Sequence, residues 1–171
     1  LPSTSDGGFA VSNYEEIDKT FGNWNDLKNL SGKHKIMADL VLNHVSSSHP
    51  WVLQFMKSDE PGSSYIVSPS RTDTWEEVIR PRNSSLFTKI KTNNGFKNVW
   101  TTFGPDQIDL NWANPNIFLE FMHLLVRYIN NGAEWIRLDA IAFIWKHPHT
   151  TCLHLEQVHL IVKLLNKCLK I

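Results

Sequence analysis

A chain of 171 residues, 42% apolar and 20% charged, has the composition of a globular protein able to bury a core, and not that of a disordered one. Seventeen basic and seventeen acidic residues cancel, and no run of Lys and Arg could follow a phosphate backbone, so nucleic acid is not an expected partner. No apolar stretch reaches the roughly 18 to 20 residues of a membrane span, and the first residues carry neither a basic start nor an apolar signal core, so no membrane partner is expected.

Cys152 and Cys168 stand outside any CxxC or Cys/His cluster, which favours reduced thiols in a cytoplasm over a disulfide framework or a zinc site. The sequons at Asn29 and Asn83 would matter only in a secretory pathway. The chain starts Leu1-Pro2-Ser3 without an initiator Met and runs out in an uncapped apolar-periodic stretch over 158–171, so it reads as a fragment.

In chain order, Asn23 caps a short helix that closes near Gly32. The stretch 36–42 is apolar at almost every position and predicts a buried parallel strand covered on both faces. From 46 to 105 Ser, Pro, Asn, Gly and charge dominate, which predicts a loop-rich insertion. Asn114-Pro115 is an N-cap followed by Pro at the first helical position. Ile117, Phe118, Phe121, Leu124, Leu125, Tyr128 and Ile129 then form one apolar face, and Gly132 stops the helix. A second strand follows over 134–143, with Arg137 and Asp139 at alternate positions and therefore on one side. A last amphipathic helix, with Leu155, Val158, Ile161, Val162, Leu165 and Leu169 on its apolar side, is expected to cover that strand. The class is α/β, a parallel βα series in three segments: 1–45, an inserted subdomain over 46–105, and 106–171. A full eightfold barrel needs roughly 250 residues, so the chain can hold only a few of its units.

Arg137 and Asp139 lie near the carboxyl end of their strand, where barrel active sites are built. A guanidinium within a few ångströms lowers a carboxyl pKa by about 1 to 3 units and keeps it ionised, as nucleophilic attack on an anomeric carbon requires. The alternative is a buried pair that only staples the sheet. Asp39, a rare charge in the first strand, needs an interior partner, and Arg137 on the neighbouring strand is the candidate. Asn43 and His44 at that strand's exit either meet a ligand hydroxyl or cap a loop.

Together these segments form a recognisable pattern. Asp39-x-x-x-Asn43-His44 resembles the first conserved region of the α-amylase family of glycoside hydrolases, and Arg137-x-Asp139-Ala140 resembles the second. Between them Gln107-Ile-Asp109-Leu-Asn111 resembles the family's short motif at the end of its inserted domain. Asp6-Gly-Gly-Phe9, with Tyr14 and the stretch 18–22, resembles the loop after the second barrel strand. The resemblance implies a partial (β/α)8 TIM barrel with a loop-rich inserted subdomain after one strand. It also implies a retaining double displacement on an α-glucoside, with Asp139 as nucleophile and Arg137 orienting it. His44 would then donate to a hydroxyl of the reacting glucose, Asp6 would anchor its far hydroxyls, and Phe9 would be an apolar platform. On the residues alone, Asp6 reads equally as a turn residue and Phe9 as core.

The stretches from Trp100 through Phe103 and Gln107 to Asp109, and from Ala140 through Trp145 to Lys146, look most like the sucrose phosphorylase branch of the family. That likeness implies glucosyl transfer from sucrose or another α-glucoside to inorganic phosphate, with Phe103 flanking the acceptor and Gln107 near the sugar. An α-glucosidase or α-amylase-type hydrolase, and a truncated non-catalytic carbohydrate- or partner-binding relic, are the alternatives. A general acid is required about 5 to 5.5 Å from the nucleophile. The only carboxylate after Asp139 is Glu156, on the polar side of the last helix, so the segment by itself is expected to be inactive. No cofactor and no metal are expected: there is no Asp/Glu cluster near Asn43, and His123, His147 and His149 lack ligand spacing. Trp135 stands where many members have Gly two places before the Arg, which predicts an altered helix-to-strand contact.

Overall fold

The computed structural model of the chain describes residues 1–70 and 74–170. Helix α1 (Trp24–Ser31) starts in a reciprocal capping box, Asn23 accepting from the N3 amide and Asp26 accepting from the Asn23 amide. Strand β1 (Ile36–Val41) follows and pairs in parallel with the last strand of the chain, β6 (Ala133–Asp139), in the register Met37↔Trp135, Asp39↔Arg137, Val41↔Asp139. Parallel neighbours need a long crossover. Here it contains the insertion and helix α4 (Pro115–Asn130).

Helix α4 begins where expected: the Asn114 side chain accepts from the Asn116 amide, and Pro115 occupies the first turn. Ile117, Phe121, Leu124, Leu125 and Tyr128 are buried on one face, whereas Ile129 is exposed, so the apolar stripe is narrower than its periodicity suggests. Gly132 ends the element at a φ of 93°, and a Cβ there would run into the Ser31 side chain. Only glycine allows the ends of α1 and α4 to meet this closely.

The strand β1 departs from its prediction. Leu40, Val41 and Leu42 are buried, but Met37 is 63% exposed and its register partner Trp135 is 59% exposed. The sheet has two strands among the described residues, so only the face carrying Ala38, Leu40, Ile136 and Leu138 is packed on the core. Trp135 stands on the other, open face and does not make the altered helix contact anticipated from sequence.

The insertion is more regular than its composition suggests. Strand β2 (His44–Ser46) pairs antiparallel with β5 (Gln107–Asp109). Between them lie α2 (Pro50–Lys57), the short α3 (Gly62–Tyr65), and a hairpin of β3 (Phe87–Thr92) with β4 (Gly95–Trp100). Asn93 and Asn94 form its two-residue turn. Val45, Val52, Phe55, Tyr65, Ile108 and Leu110 join the same core cluster as Leu40, Phe121 and Leu125, so the insertion is welded to the barrel segment.

Two further boundaries differ from expectation. Strand β6 stops at Asp139 and not at 143, because Ala140 turns left-handed (φ 53°) into a 3-10 turn, Ile141–Phe143. The last helix, α5 (Glu156–Cys168), packs chiefly on that turn and not over β6. Val158 and Leu165 are buried, while Val162 and Leu169 remain exposed; Ile171 lies outside the described residues.

Candidate active site

Residues two apart in a strand share a face, and register sets Asp39 opposite Arg137 and Val41 opposite Asp139. Arg137 therefore reaches both carboxylates: one guanidinium nitrogen donates to Asp139 Oδ1 at 2.8 Å, and the other to Asp39 Oδ2. The predicted Asp39–Arg137 pair is present but not interior: the Asp39 and Arg137 side chains are 39% and 51% exposed, because their face of the two-stranded sheet is open. The pKa of Asp139, however, moves opposite to what Arg137 alone would produce. Burial pushes it up first, Arg137 pulls it down, and the negative charges of Asp39 and Asp6 push it up again, leaving it raised. Arg137 is divided between two anions and does not neutralise either fully. The side chain of Asp139 is 18% exposed, at the strand end where the Ala140 turn opens the backbone.

Beneath this row is a buried polar centre. Asn43, His44 and Asp109 are 0%, 1% and 0% exposed. Asn43 Nδ2 donates to Asp109 Oδ2 at 2.9 Å, Thr102 donates to both Asp109 oxygens, and Lys146 Nζ lies 2.7 Å from Asp109 Oδ2. The same ammonium donates to Asn43 Oδ1 at 2.9 Å and to the Phe143 carbonyl. These contacts fix the Asn43 amide, because its oxygen faces a cation and its nitrogen faces an anion. Its second N–H then points at His44 Nδ1, 3.2 Å away, making Nδ1 the acceptor. His44 Nε2–H is left to donate to the Phe9 carbonyl at 3.1 Å. Burial lowers the His44 pKa more than the Asp109 charge raises it, which favours this neutral form. The Asn43 amide is thus taken up by protein partners, and His44 can reach a sugar only by sharing the proton already offered to Phe9.

The remaining expected residues gather around these two groups. Gln107 Nε2 donates to Asp6 Oδ2 at 3.0 Å and lies 3.1 Å from His44 Nε2. Phe9 carries Arg137 over its ring, with 5.7 Å to the centroid. Phe103 is wedged between His44 and Phe143, at centroid distances of 5.0 and 5.4 Å. Asp6 itself sits at φ 54° in a 3-10 turn, Asp6–Gly8. The geometry brings together all nine residues singled out from sequence.

Five participants carried no assigned role in the sequence. Lys146 and Asp109 are 37 positions apart and meet only through folding. Arg82 lies 3.6 Å from Asp6 Oδ1 with a half-exposed guanidinium. Arg80 donates to the carbonyls of Ser84, Ser85, Thr101 and Thr102 and so shapes the loop on which Arg82 rides. Asp106 accepts from Thr4, Ser5, Ser46 and Ser47. A cavity of about 920 Å³ opens beside Lys146 between Trp75, Lys97, Asn111 and Trp112, and none of the nine residues above lines it. Among the described residues no group of three His, Cys, Asp or Glu could hold a metal ion, both cysteines are free, and no helix is long and apolar enough to cross a membrane.

With this geometry in view, the chain belongs to the alpha-amylase catalytic-domain family, which matches residues 2–162. It is 46% identical to the glucosylglycerate phosphorylase of Allomeiothermus silvanus over 96% of this chain and 30% of that protein. It is 29% identical to the sucrose phosphorylase of Streptococcus mutans over 91% of this chain and 35% of that protein. The crystal structure of sucrose 6F-phosphate phosphorylase from Thermoanaerobacter thermosaccharolyticum superposes with a TM-score of 0.89 at 25% identity, covering 96% of this chain and 37% of that one. The chain thus spans about a third of the length of these relatives, and its fold is a partial (β/α)8 barrel.

Proposed function

We propose that this chain is the nucleophile-bearing part of a retaining enzyme that transfers glucose from an α-glucoside to inorganic phosphate. The carrying observation is Asp139, held at a strand end by Arg137 and sharing that guanidinium's surroundings with Asp6 and Phe9. In the first step an Asp139 oxygen attacks the anomeric carbon, the glycosidic C–O bond breaks, and the departing aglycone oxygen takes a proton from a carboxylic acid outside this chain. In the second, a phosphate oxygen attacks the same carbon, the ester bond to Asp139 breaks, and the acid recovers its proton as glucose 1-phosphate leaves. Asp6, Phe9, His44 and Gln107 hold the glucose, and Phe103 walls the acceptor side. Arg82 offers the entering phosphate a half-exposed cation next to Asp6.

The 46% identical relative, a glucosylglycerate phosphorylase, favours a glucoside whose aglycone is glycerate over sucrose. Residues 46–105 serve as the inserted subdomain over the site. Carboxylates suffice for both steps, so no cofactor is required, and the free cysteines accord with a cytoplasmic enzyme.

The test is to incubate the longer enzyme containing this segment with phosphate and either α-glucosylglycerate or sucrose. Glucose 1-phosphate formed faster from glucosylglycerate is the expected result. Free glucose as the main product would replace phosphorolysis with hydrolysis, and no turnover of either glucoside would overturn the reading.

A further inference from the structure

The turn that carries Asp6 and Phe9 buries little of its own surface, and its backbone is tied to β2 only past its apex, by His44 donating to the Phe9 carbonyl at 3.1 Å and by Ser46 N donating to the Val11 carbonyl at 2.8 Å. Residues 4–8 are exposed, so they bury almost nothing. Asp6, Gly7 and Gly8 all have positive φ, at 54°, 62° and 110°, a run that forms no regular ladder. Three backbone hydrogen bonds close the loop on itself: Thr4 N to Ala10 O, Ala10 N to Ser5 O, and Phe9 N to Asp6 O. These fix its shape but not its place against β2 and β5.

We propose that Asp106 is a positioning residue whose two carboxylate oxygens tie this turn to the exit of β2, and so set Asp6 and Phe9 against the sugar. The oxygens divide the task. Oδ2 accepts from Thr4 Oγ1 at 2.7 Å and from Ser5 Oγ at 2.6 Å, both in the turn's approach. Oδ1 accepts from Ser47 N at 3.0 Å, Ser47 Oγ at 2.6 Å and Ser46 Oγ at 3.2 Å, all just beyond His44. The Thr4 and Ser46 hydroxyl oxygens are 2.7 Å apart, and with the Thr4 proton given to Oδ2 the single Ser46 proton serves either Thr4 or Oδ1. Asp106 lies in the turn just before β5, whose first residue, Gln107, grips Asp6, so the loop is held at both Ser5 and Asp6. Partial burial pushes the Asp106 pKa up, yet hydrogen bonds from Ser47, Ser5 and Thr4 hold it at about 2, showing that the ionised form is the one the surroundings fit. An amide in its place keeps one acceptor for the Ser47 amide but must reverse the sense of its contacts with the Thr4 and Ser5 hydroxyls, and it gives up the charge that strengthens all of them.

The inference rests on the glucosyl-binding reading, and two measurements separate the fates of the two ideas. In the longer enzyme, Asp106→Asn and the double variant Thr4→Ala/Ser5→Ala are compared with wild type by steady-state kinetics with α-glucosylglycerate and by amide hydrogen exchange of residues 4–10. Both variants are expected to raise the KM for the glucoside about tenfold with kcat within about threefold, the signature of lost binding common to ground and transition states. Exchange of amides 4–10 should quicken about tenfold while α4 amides keep their rates. Asp106→Glu, which restores two charged acceptors, should recover part of the KM. Unchanged exchange in the turn overturns the proposal, as does faster exchange with an unchanged KM, or faster exchange spread equally over α4. If Asp106→Asn fails to fold, the double variant decides, since it keeps Asp106 and its bonds to Ser46 and Ser47. If wild type turns over no glucoside, the functional reading falls, and the exchange data alone decide whether Asp106 is the tether.

Discussion

The centre around Asp109 and the row Asp39–Arg137–Asp139 use the same materials, carboxylates facing a cation, in opposite states. Asp109 is wholly buried, and its contacts from Lys146, Asn43 and Thr102 leave its oxygens saturated. Asp139 has one strong donor, shared with a competing anion, and part of its surface open. A saturated carboxylate anchors structure, and an under-supplied one retains a lone pair for chemistry. Asp109 ends β5 and Asp139 ends β6, in separate sheets, and the chain from Val41, the register partner of Asp139, to Asn43, which donates to Asp109, links the rigid group to the reactive one.

Breaking each side separately tests this contrast. The largest effect is expected for Asp139→Asn in the longer enzyme, which should lower kcat by at least about 10⁴-fold while the thermal midpoint stays near that of wild type. Activity surviving above a trace would remove Asp139 as nucleophile. Lys146→Met should act in the opposite currency. It leaves Asp109 buried and short of its cation, costing about 3 to 5 kcal/mol in a urea titration. Loss of activity without loss of stability in that variant would erase the distinction between the two groups.

A smaller and more discriminating effect concerns pH. The raised pKa of Asp139 means that the acid limb of kcat/KM should lie above the ordinary value of 3.8. Asp39→Asn removes a charge that pushes Asp139 up and returns Arg137 to it, so the limb should shift to lower pH. A limb that shifts upward, or stays fixed, would mean that another group sets it. The folding balance has the matching sign. A carboxyl raised by folding favours the native state at low pH, and that contribution is lost as pH rises through the folded value. Asp106 has the reverse sign: its contribution is complete above 3.8 and is lost as pH falls toward about 2.

Much of the frame was legible from local chemistry. Helix α4 announced itself through Asn114-Pro115 and its apolar stripe, and α1 through its cap, because capping and periodicity act within one turn of chain. The pairing of Asp39 with Arg137 followed from one charge in each of two apolar strands. The β3–β4 hairpin also left a signal, the Asn93-Asn94 turn followed by Gly95 at a φ of 99°, but the polar composition of 46–105 obscured it. The end of β6 was not readable, since the apolar run continues through Ala140 and only the left-handed turn there breaks it. Nor was the Lys146–Asp109 pair, which depends on a loop returning across 37 residues. The pKa direction at Asp139 eluded sequence because burial, its largest cause, is set by the folded surroundings, with Asp39 and then Asp6, from the far end of the chain, adding to it.

The open row of Met37 and Trp135 gives this molecule a built-in optical probe. Trp135 is an indole largely in water, two residues before Arg137 on the strand that carries the nucleophile. Its emission belongs at long wavelength as the segment stands, and shifts to the blue when anything apolar closes over that face. Among the seven tryptophans its signal is isolated as the difference from a Trp135→Phe variant, and that difference reports closure of the face without a label.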